Sequence, residues 1–239
     1  EVSFFIEIDE AKAVDMLLKG DMHVYFRDIR DPELFRRVRE SPDLQYVFSY
    51  GLFFELTFNP VGPEFPATGK LNPFAVPRIR EAMNYLIDRS YIASEIMGGM
   101  AVPRYTALTP AFPDYARYAD AIRQIEKEYA YNFEKARQII TEEMRKLGAE
   151  LRDGKWYYKG EPVTLIFLIR VEDQRRQIGD YVASQLERLG FTVDRQYKTS
   201  REAAPIWIRG NPADGQWHLY TGGWIATVID RNEGGTNFG

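Results

Sequence analysis

Several residue types and patterns that often reveal function are missing from this sequence. The 239 residues include no cysteine, so disulfide bonds and thiolate sites are excluded. No apolar run approaches the roughly 20 residues that span a membrane, and the opening EVSFFIEIDE lacks the basic and apolar regions of a signal peptide. The net charge is −4 without any basic run, so nucleic acid is not an expected partner.

Enzyme motifs are missing as well. No HExxH, Walker A, GxSxG or strand-linked GxGxxG pattern occurs. The only histidines, His23 and His218, are far apart in predicted strands, where a structural role is the more common finding. We therefore expect no catalytic residues, no metal site and no cofactor. A hydrolase that uses two carboxylates, with Glu55 and Asp230 as candidates, stays open because the sequence contains many acidic residues.

The composition is typical of a globular protein, since 45% of the residues are hydrophobic and 14% are aromatic. Strands and helices alternate along it. The pattern predicts an N-terminal βαβ unit (strand 2–8, helix 11–18, strand 22–26), a helix over 32–39 with Asp31 as its cap, strands at 44–50 and 52–58, and a loop over 59–72.

The rest of the chain repeats this alternation. Predicted next are a helix from Pro77, a short helix capped by Ser90, a helix capped by Asn132, a hairpin at 156–162, a strand at 163–169, a helix capped by Asp173, and strands at 191–197 and 217–221. The strand at 163–169, the helix capped by Asp173 and the strand at 191–197 form a second βαβ unit with parallel strands. Residues 199–209 stay ambiguous because Pro205 would interrupt a helix.

One segment carries a more specific signal. It contains Pro73-Phe74, then Arg78-Ile79-Arg80, Ala82-Met83-Asn84-Tyr85 and Ile87-Asp88-Arg89, followed by a glycine pair and Pro103. This string resembles the signature segment of the extracellular solute-binding proteins of dipeptide and oligopeptide ABC importers (family 5). The segment from Gln216 to Trp224, which ends in Gly-Trp, is similar to the strand that leads that family's chain back toward the cleft.

The resemblance implies the fold and the domain organisation. The fold class is α/β, a periplasmic-binding-protein-like (type II) lobe with mixed sheets flanked by helices and with βαβ units. We expect residues 1–239 to be a fragment that comprises mainly the second lobe of a two-lobed protein. Residues 216–239 are then the return segment toward the first lobe.

The resemblance also implies a ligand site. In the family, a tryptophan at the position of Trp224 lines the pocket, and peptide binders have an aspartate three residues later; that position is Thr227 here, and the nearest carboxylate is Asp230. Phe53 and Glu55 match an aromatic residue and an acid that contact ligand, and Arg175 and Arg209 lie near residues that bind a peptide carboxylate. The full set of expected ligand-binding residues is Phe53, Glu55, Arg175, Arg209, Thr221, Gly223, Trp224, Ile225, Thr227 and Asp230.

Glu55 is informative even without the resemblance. It interrupts a mostly apolar strand, and a buried carboxylate is unfavourable unless it is paired. Glu55 therefore lies either on an exposed strand face or in a site that contains a cationic partner.

The function implied is that of a monomeric transport receptor, periplasmic or on the cell surface, which closes by a hinge motion on an oligopeptide and delivers it to the membrane permease of an ABC importer. An oligosaccharide is the alternative ligand, because the aspartate of the peptide binders is missing and aromatic rings stack on sugars.

Overall fold

The computed structural model describes residues 2–49 and 51–225, which form a mixed α/β structure. The helices are α1 (Glu10–Lys19), α2 (Pro32–Glu40), α3 (Pro77–Leu86), α4 (Arg89–Tyr91), α5 (Pro113–Arg117), α6 (Ala119–Glu128), α7 (Phe133–Lys146), α8 (Arg175–Arg188) and α9 (Ser200–Trp207). The strands are β1 (Leu52–Phe58), β2 (Glu150–Arg152), β3 (Lys155–Tyr158), β4 (Glu161–Pro162), β5 (Thr164–Arg170), β6 (Thr192–Lys198) and β7 (Leu219–Ile225).

The main sheet has the strand order β1-β7-β5-β6. Strands β5 and β6 are parallel and connected by α8, so the predicted second βαβ unit is confirmed. Strand β7 is parallel to β5 and antiparallel to β1, which makes β1 an edge strand. A separate three-stranded sheet, β2-β3-β4, contains the predicted hairpin.

Both faces of the main sheet are covered. The larger core lies against one face, where α3, α7 and α8 contribute buried residues such as Leu86, Ile140 and Leu186. A smaller cluster on the other face joins Leu168 and Tyr220 of the sheet to Ala203 of α9. A strand covered on both faces needs apolar residues at successive positions, which explains the continuous run in β5.

Helix ends follow local sequence signals closely. The side chains of Asp31 and Asn132 accept hydrogen bonds from backbone N–H groups at the starts of α2 and α7, as predicted. Two cap predictions were wrong by one or two residues. Asp88 rather than Ser90 caps α4, and Gln174 is the N-cap of α8, although the preceding Asp173 accepts from the N–H of Arg175.

The ambiguous region around Pro205 is helical. Thr199 and Glu202 form a reciprocal capping box that starts α9, and Pro205 lies two residues before the helix ends. Proline cannot donate the helical hydrogen bond to the carbonyl four residues earlier, so α9 forgoes one bond and ends soon afterwards.

The predicted strands before β1 were wrong. Helix α1 is present, but residues 2–8, 22–26 and 44–49 form no strands, so the N-terminal βαβ unit does not exist among the described residues. Their alternation is intact, yet most of the apolar side chains are exposed, with Phe4 at 85% and Ile6 at 92%, although Met22 is buried. A strand needs a hydrogen-bonded neighbour, and the described residues supply none for these segments. The described helices also include none long and apolar enough to cross a membrane.

Candidate functional site

A cleft of about 1530 Å³ lies beside the edge strand β1. Residues of the extended segments 23–30 and 43–49 line it, together with residues of β1, α3, α8 and the segment 100–105. The lining mixes apolar side chains with charged ones. The cleft is larger than the roughly 300–1,000 Å³ of a typical small-molecule pocket, so it has room for an extended ligand.

Glu55 lines this cleft and anchors a small polar cluster. The Thr57 hydroxyl donates to Glu55 Oε1 at 2.6 Å, and the Trp224 indole N–H donates to the same oxygen at 3.3 Å. Glu55 forms no ion pair with any described residue, so it combines partial burial with an unneutralised charge. Burial raises the pKa of Glu55, and the two hydrogen bonds oppose that rise.

The pairing of β1 with β7 brings these groups together. Phe53 is opposite Trp224 and Glu55 is opposite Gly222, so Phe53, Glu55 and Trp224 share one face of the sheet. The sequence-predicted residues Phe53, Glu55 and Trp224 therefore form one cluster. Gly222 leaves the space for the carboxylate, since a Cβ on this glycine would lie 1.9 Å from Glu55 Oε1.

Aromatic rings extend the cluster along β7. Trp207 of α9 stacks on Tyr220 with ring centroids 4.4 Å apart. The Trp207 and Trp224 rings are arranged edge to face, with centroids 6.2 Å apart. Helix α9 thus supplies a ring that sequence reasoning missed, because the proline in this segment obscured the helical spacing. We call Trp207, Tyr220 and Trp224 the aromatic group.

Other predicted site residues lie elsewhere. Gly223 is opposite Phe54, next to Arg175, and Arg175 is 7% exposed with its Nε and Nη2 atoms each 2.8 Å from a carboxylate oxygen of Asp173. Thr221 is buried and its hydroxyl accepts from the backbone N–H of Arg170 at 2.9 Å. These three residues belong to the core face of the sheet.

The remaining candidates are at the ends of elements or beyond the described range. Arg209 is exposed just after α9 and does not line the cleft, and Ile225 is 51% exposed at the end of β7. Thr227 and Asp230 lie outside the described residues. Within the described ranges, no group of three or more acidic or histidine side chains could hold a metal ion.

Sequence reasoning missed two arginines that line the cleft, Arg89 and Arg104. The guanidinium of Arg104 lies over the Phe53 ring, 3.8 Å from its centroid. Nothing in the local pattern singles out Arg104, because it follows Pro103 in a segment without regular structure. Arg89 was visible in the signature segment, but the charge of one helix-face arginine has no specific meaning by itself.

The fold and the cleft define an α/β, type II periplasmic-binding-protein-like structure with a ligand-sized cavity beside an edge strand. The chain belongs to the bacterial extracellular solute-binding proteins, family 5 (middle region), whose family model matches residues 1–239. The expected family and fold class are therefore confirmed. A comparison with curated proteins found no match.

Solved structures of similar fold include three proteins, two of which have a bound ligand. The oligopeptide-binding protein AppA from Bacillus subtilis, in complex with a nonapeptide, is 18% identical, with a TM-score of 0.60 and with 90% of this chain and 39% of that chain covered. The ABC transporter substrate-binding protein CtaP from Listeria monocytogenes is 17% identical, with a TM-score of 0.65 and coverages of 92% and 39%. A periplasmic oligopeptide-binding protein from Thermotoga maritima, bound to mannohexaose, is 18% identical, with a TM-score of 0.57 and coverages of 91% and 38%.

The chain thus spans about two fifths of the length of these structures. At such identities the likeness concerns the fold.

Proposed function

We propose that this chain is the ligand-binding lobe of a solute receptor that delivers an oligopeptide, or a similar extended solute, to an ABC importer. The observation that carries the proposal is the cleft beside β1, which Glu55 and Phe53 line in a chain of the family-5 solute-binding proteins. An uncompensated carboxylate beside aromatic rings suits a solute that has both polar and apolar parts. The role is binding rather than catalysis, in a protein that acts as a monomer at the periplasmic or outer side of the membrane.

The proposed receptor has two lobes. Residues 1–239 comprise mainly the second lobe, and residues 216–239 form the return segment toward the first. The exposed alternation at Phe4, Ile6 and Ile8 supports this division, because apolar strand patterns gain stability when another strand or sheet covers them. Solute binding would favour closure of the two lobes only through contacts that are better in the closed state.

Our first prediction concerns the natural ligand. Native mass spectrometry of the full-length protein, purified without denaturation, should show a co-purifying solute that can be released and identified. A ladder of peptide masses is the result we expect. Failure to retain any solute, together with no binding of peptides or oligosaccharides added in excess, would contradict the proposed function.

An oligosaccharide is the second candidate, and the aromatic group favours it. Trp207, Tyr220 and Trp224 form adjoining rings on the face that carries Glu55. Tyr220 is buried, so Trp207 and Trp224 are the partly exposed rings on which a sugar face would stack. Released masses spaced by a hexose unit would select this candidate. The rival hydrolase would need Asp230 near Glu55, and turnover of a polymer that disappears in Glu55→Gln would establish it.

A second prediction tests whether Glu55 takes part in binding. We expect Gly222→Ala to weaken solute binding about tenfold or more, because the added Cβ displaces the Glu55 carboxylate from Thr57 and Trp224. The melting temperature should change little, since the displaced atoms are the end of a flexible side chain. Calorimetric titration with the co-purified solute measures the affinity.

Gly223→Ala is the matched comparison, because its Cβ projects to the opposite face. That Cβ would lie 2.8 Å from Arg175 Nη1 and 3.2 Å from Phe54 Cδ1, so this variant should lose stability while Glu55 keeps its position. Unchanged affinity in a folded Gly222→Ala protein would argue against a role for Glu55 in binding.

A further inference from the structure

Arg104 has an incomplete set of hydrogen bonds at the wall of the cleft. Its Nε donates to the Thr106 carbonyl at 2.9 Å and its Nη2 donates to the Ala107 carbonyl. Its Nη1 is buried and has no hydrogen-bond partner among the described residues. A buried donor on a charged group is unfavourable until an acceptor arrives, so the guanidinium retains an unused binding capacity.

The position of Arg104 is held from two sides. The Phe53 ring supports the guanidinium, with the carbon atom of that group 3.8 Å from the ring centroid. Arg89 Nε donates to the Arg104 carbonyl at 3.0 Å, and the remaining Arg89 nitrogens donate to Asn84, one of them to Asn84 Oδ1 at 2.6 Å. Arg89 is therefore a positioning residue in which each guanidinium nitrogen has an acceptor, whereas Nη1 of Arg104 has none among the described residues.

The charges of Arg89 and Arg104 are also uncompensated. Neither Arg89 nor Arg104 forms an ion pair within the ranges that the structure describes, and both line the cleft. Burial lowers the pKa of each arginine, although both stay protonated at physiological pH. Two guanidinium groups in a partly desolvated wall create a positive potential that favours an anionic group.

We propose that Arg104, supported by Phe53 and positioned by Arg89, binds a carboxylate group of the solute. This subsite rests on the proposed function and adds a charge preference to it. The guanidinium offers a planar, charge-assisted contact through Nη1, and Phe53 fixes the plane of the group. Glu55 projects from the same face of β1 two positions after Phe53, about 7 Å along the strand, so the two ends of the site carry opposite charges.

The test uses the full-length protein and three probes. The first is a mixture of random-sequence peptides of two to nine residues with free carboxyl termini, the second is the same mixture with amidated carboxyl termini, and the third is the neutral sugar mannohexaose. Native mass spectrometry gives the species retained, and calorimetric titration gives their affinities. We expect at least tenfold tighter binding of free acids than of the matching amides, as befits a charge-assisted hydrogen bond.

Arg104→Gln should reduce this acid-to-amide ratio to near unity, and Arg104→Lys should restore part of it. Arg137→Gln, on the exposed face of α7, is the matched control and should keep the ratio. A folding defect would weaken the binding of acids and amides equally, so the ratio separates a binding role from a structural one.

Three results would overturn the subsite. Equal affinity for acids and amides in the unmodified protein would do so while leaving the proposed function intact. Loss of the ratio in Arg209→Gln but not in Arg104→Gln would move the contact to the arginine after α9. Retention of mannohexaose alone would leave a solute receptor without a carboxylate subsite, whereas no binding of any probe would refute the proposed function itself.

Discussion

His218→Ala should lower the free energy of unfolding by roughly 3 kcal/mol. His218 is completely buried, its Nδ1 accepts from the Ile166 N–H at 3.0 Å, and its Nε2 lies 3.1 Å from the Leu71 carbonyl, which requires the neutral ring with its proton on Nε2. Removal of the ring leaves one buried donor and one buried acceptor unpaired and creates a cavity, and each of these effects is unfavourable. Urea unfolding at pH 7 measures the loss, and a loss below about 1 kcal/mol would contradict this account.

The same residue predicts a pH dependence with a definite sign. Burial lowers the pKa of His218 to about 4, whereas an unfolded histidine titrates near 6.5. Between these values the unfolded state binds a proton that the folded state does not, so stability falls as the pH is lowered from about 6.5 toward 4. Between pH 7 and pH 5 this linkage corresponds to about 2 kcal/mol, at about 1.4 kcal/mol per pKa unit.

Two variants test whether the pH dependence of stability comes from the His218 ring. His23 is exposed and is the only other histidine, so His23→Gln should keep the pH slope, and His218→Ala should lose about 2 kcal/mol of it. The stability difference between the unmodified protein and His218→Ala should therefore shrink on acidification. A parallel pair of curves from pH 7 to pH 5 would show that His218 stays neutral in both states or titrates equally in both.

Trp156→Ala is expected to be the most destabilising of the substitutions considered, at about 3 to 5 kcal/mol. Trp156 is 1% exposed in the larger core, and its indole N–H donates to the Leu189 carbonyl at 2.9 Å. Its backbone N–H donates to the Gly190 carbonyl at 2.9 Å, so the residue joins the β2-β3-β4 sheet to the end of α8. Loss of the ring removes this packing and leaves the Leu189 carbonyl without its donor.

Trp156→Phe provides the comparison. It keeps most of the apolar area and loses the indole hydrogen bond, so its effect should be about 1 to 2 kcal/mol. Trp207→Ala should also cost less than Trp156→Ala, because Trp207 is only partly buried. Denaturant midpoints of the three variants give the order, and a Trp207→Ala protein less stable than Trp156→Ala would contradict it.

Elements with local determinants could be predicted from the sequence. The caps at Asp31 and Asn132 and the helices that follow them depend on side chains a few residues away, so their patterns are readable along the chain. The second βαβ unit was equally accessible, because β5, α8 and β6 are consecutive and the connection between parallel strands is short.

Features that depend on distant partners could not be predicted in the same way. The alternation at residues 2–8 indicates a strand, but a strand exists only where another pairs with it, and periodicity says nothing about the partner. The contact between Glu55 and Trp224 joins residues far apart in the sequence, and only the family resemblance anticipated that both belong to one site. Arg104 had no signal, because its proposed role depends on the ring of Phe53 and on an Nη1 atom without a hydrogen-bond partner among the described residues.

The pairing of β1 with β7 bears on whether the segment 52–225 can be moved as a unit by protein engineering. Leu52, where β1 begins, is the register partner of Ile225, where β7 ends, so the two ends of the segment 52–225 lie side by side. A body whose ends adjoin can be excised, joined head to tail or transplanted into a host loop with little loop-closure entropy to overcome.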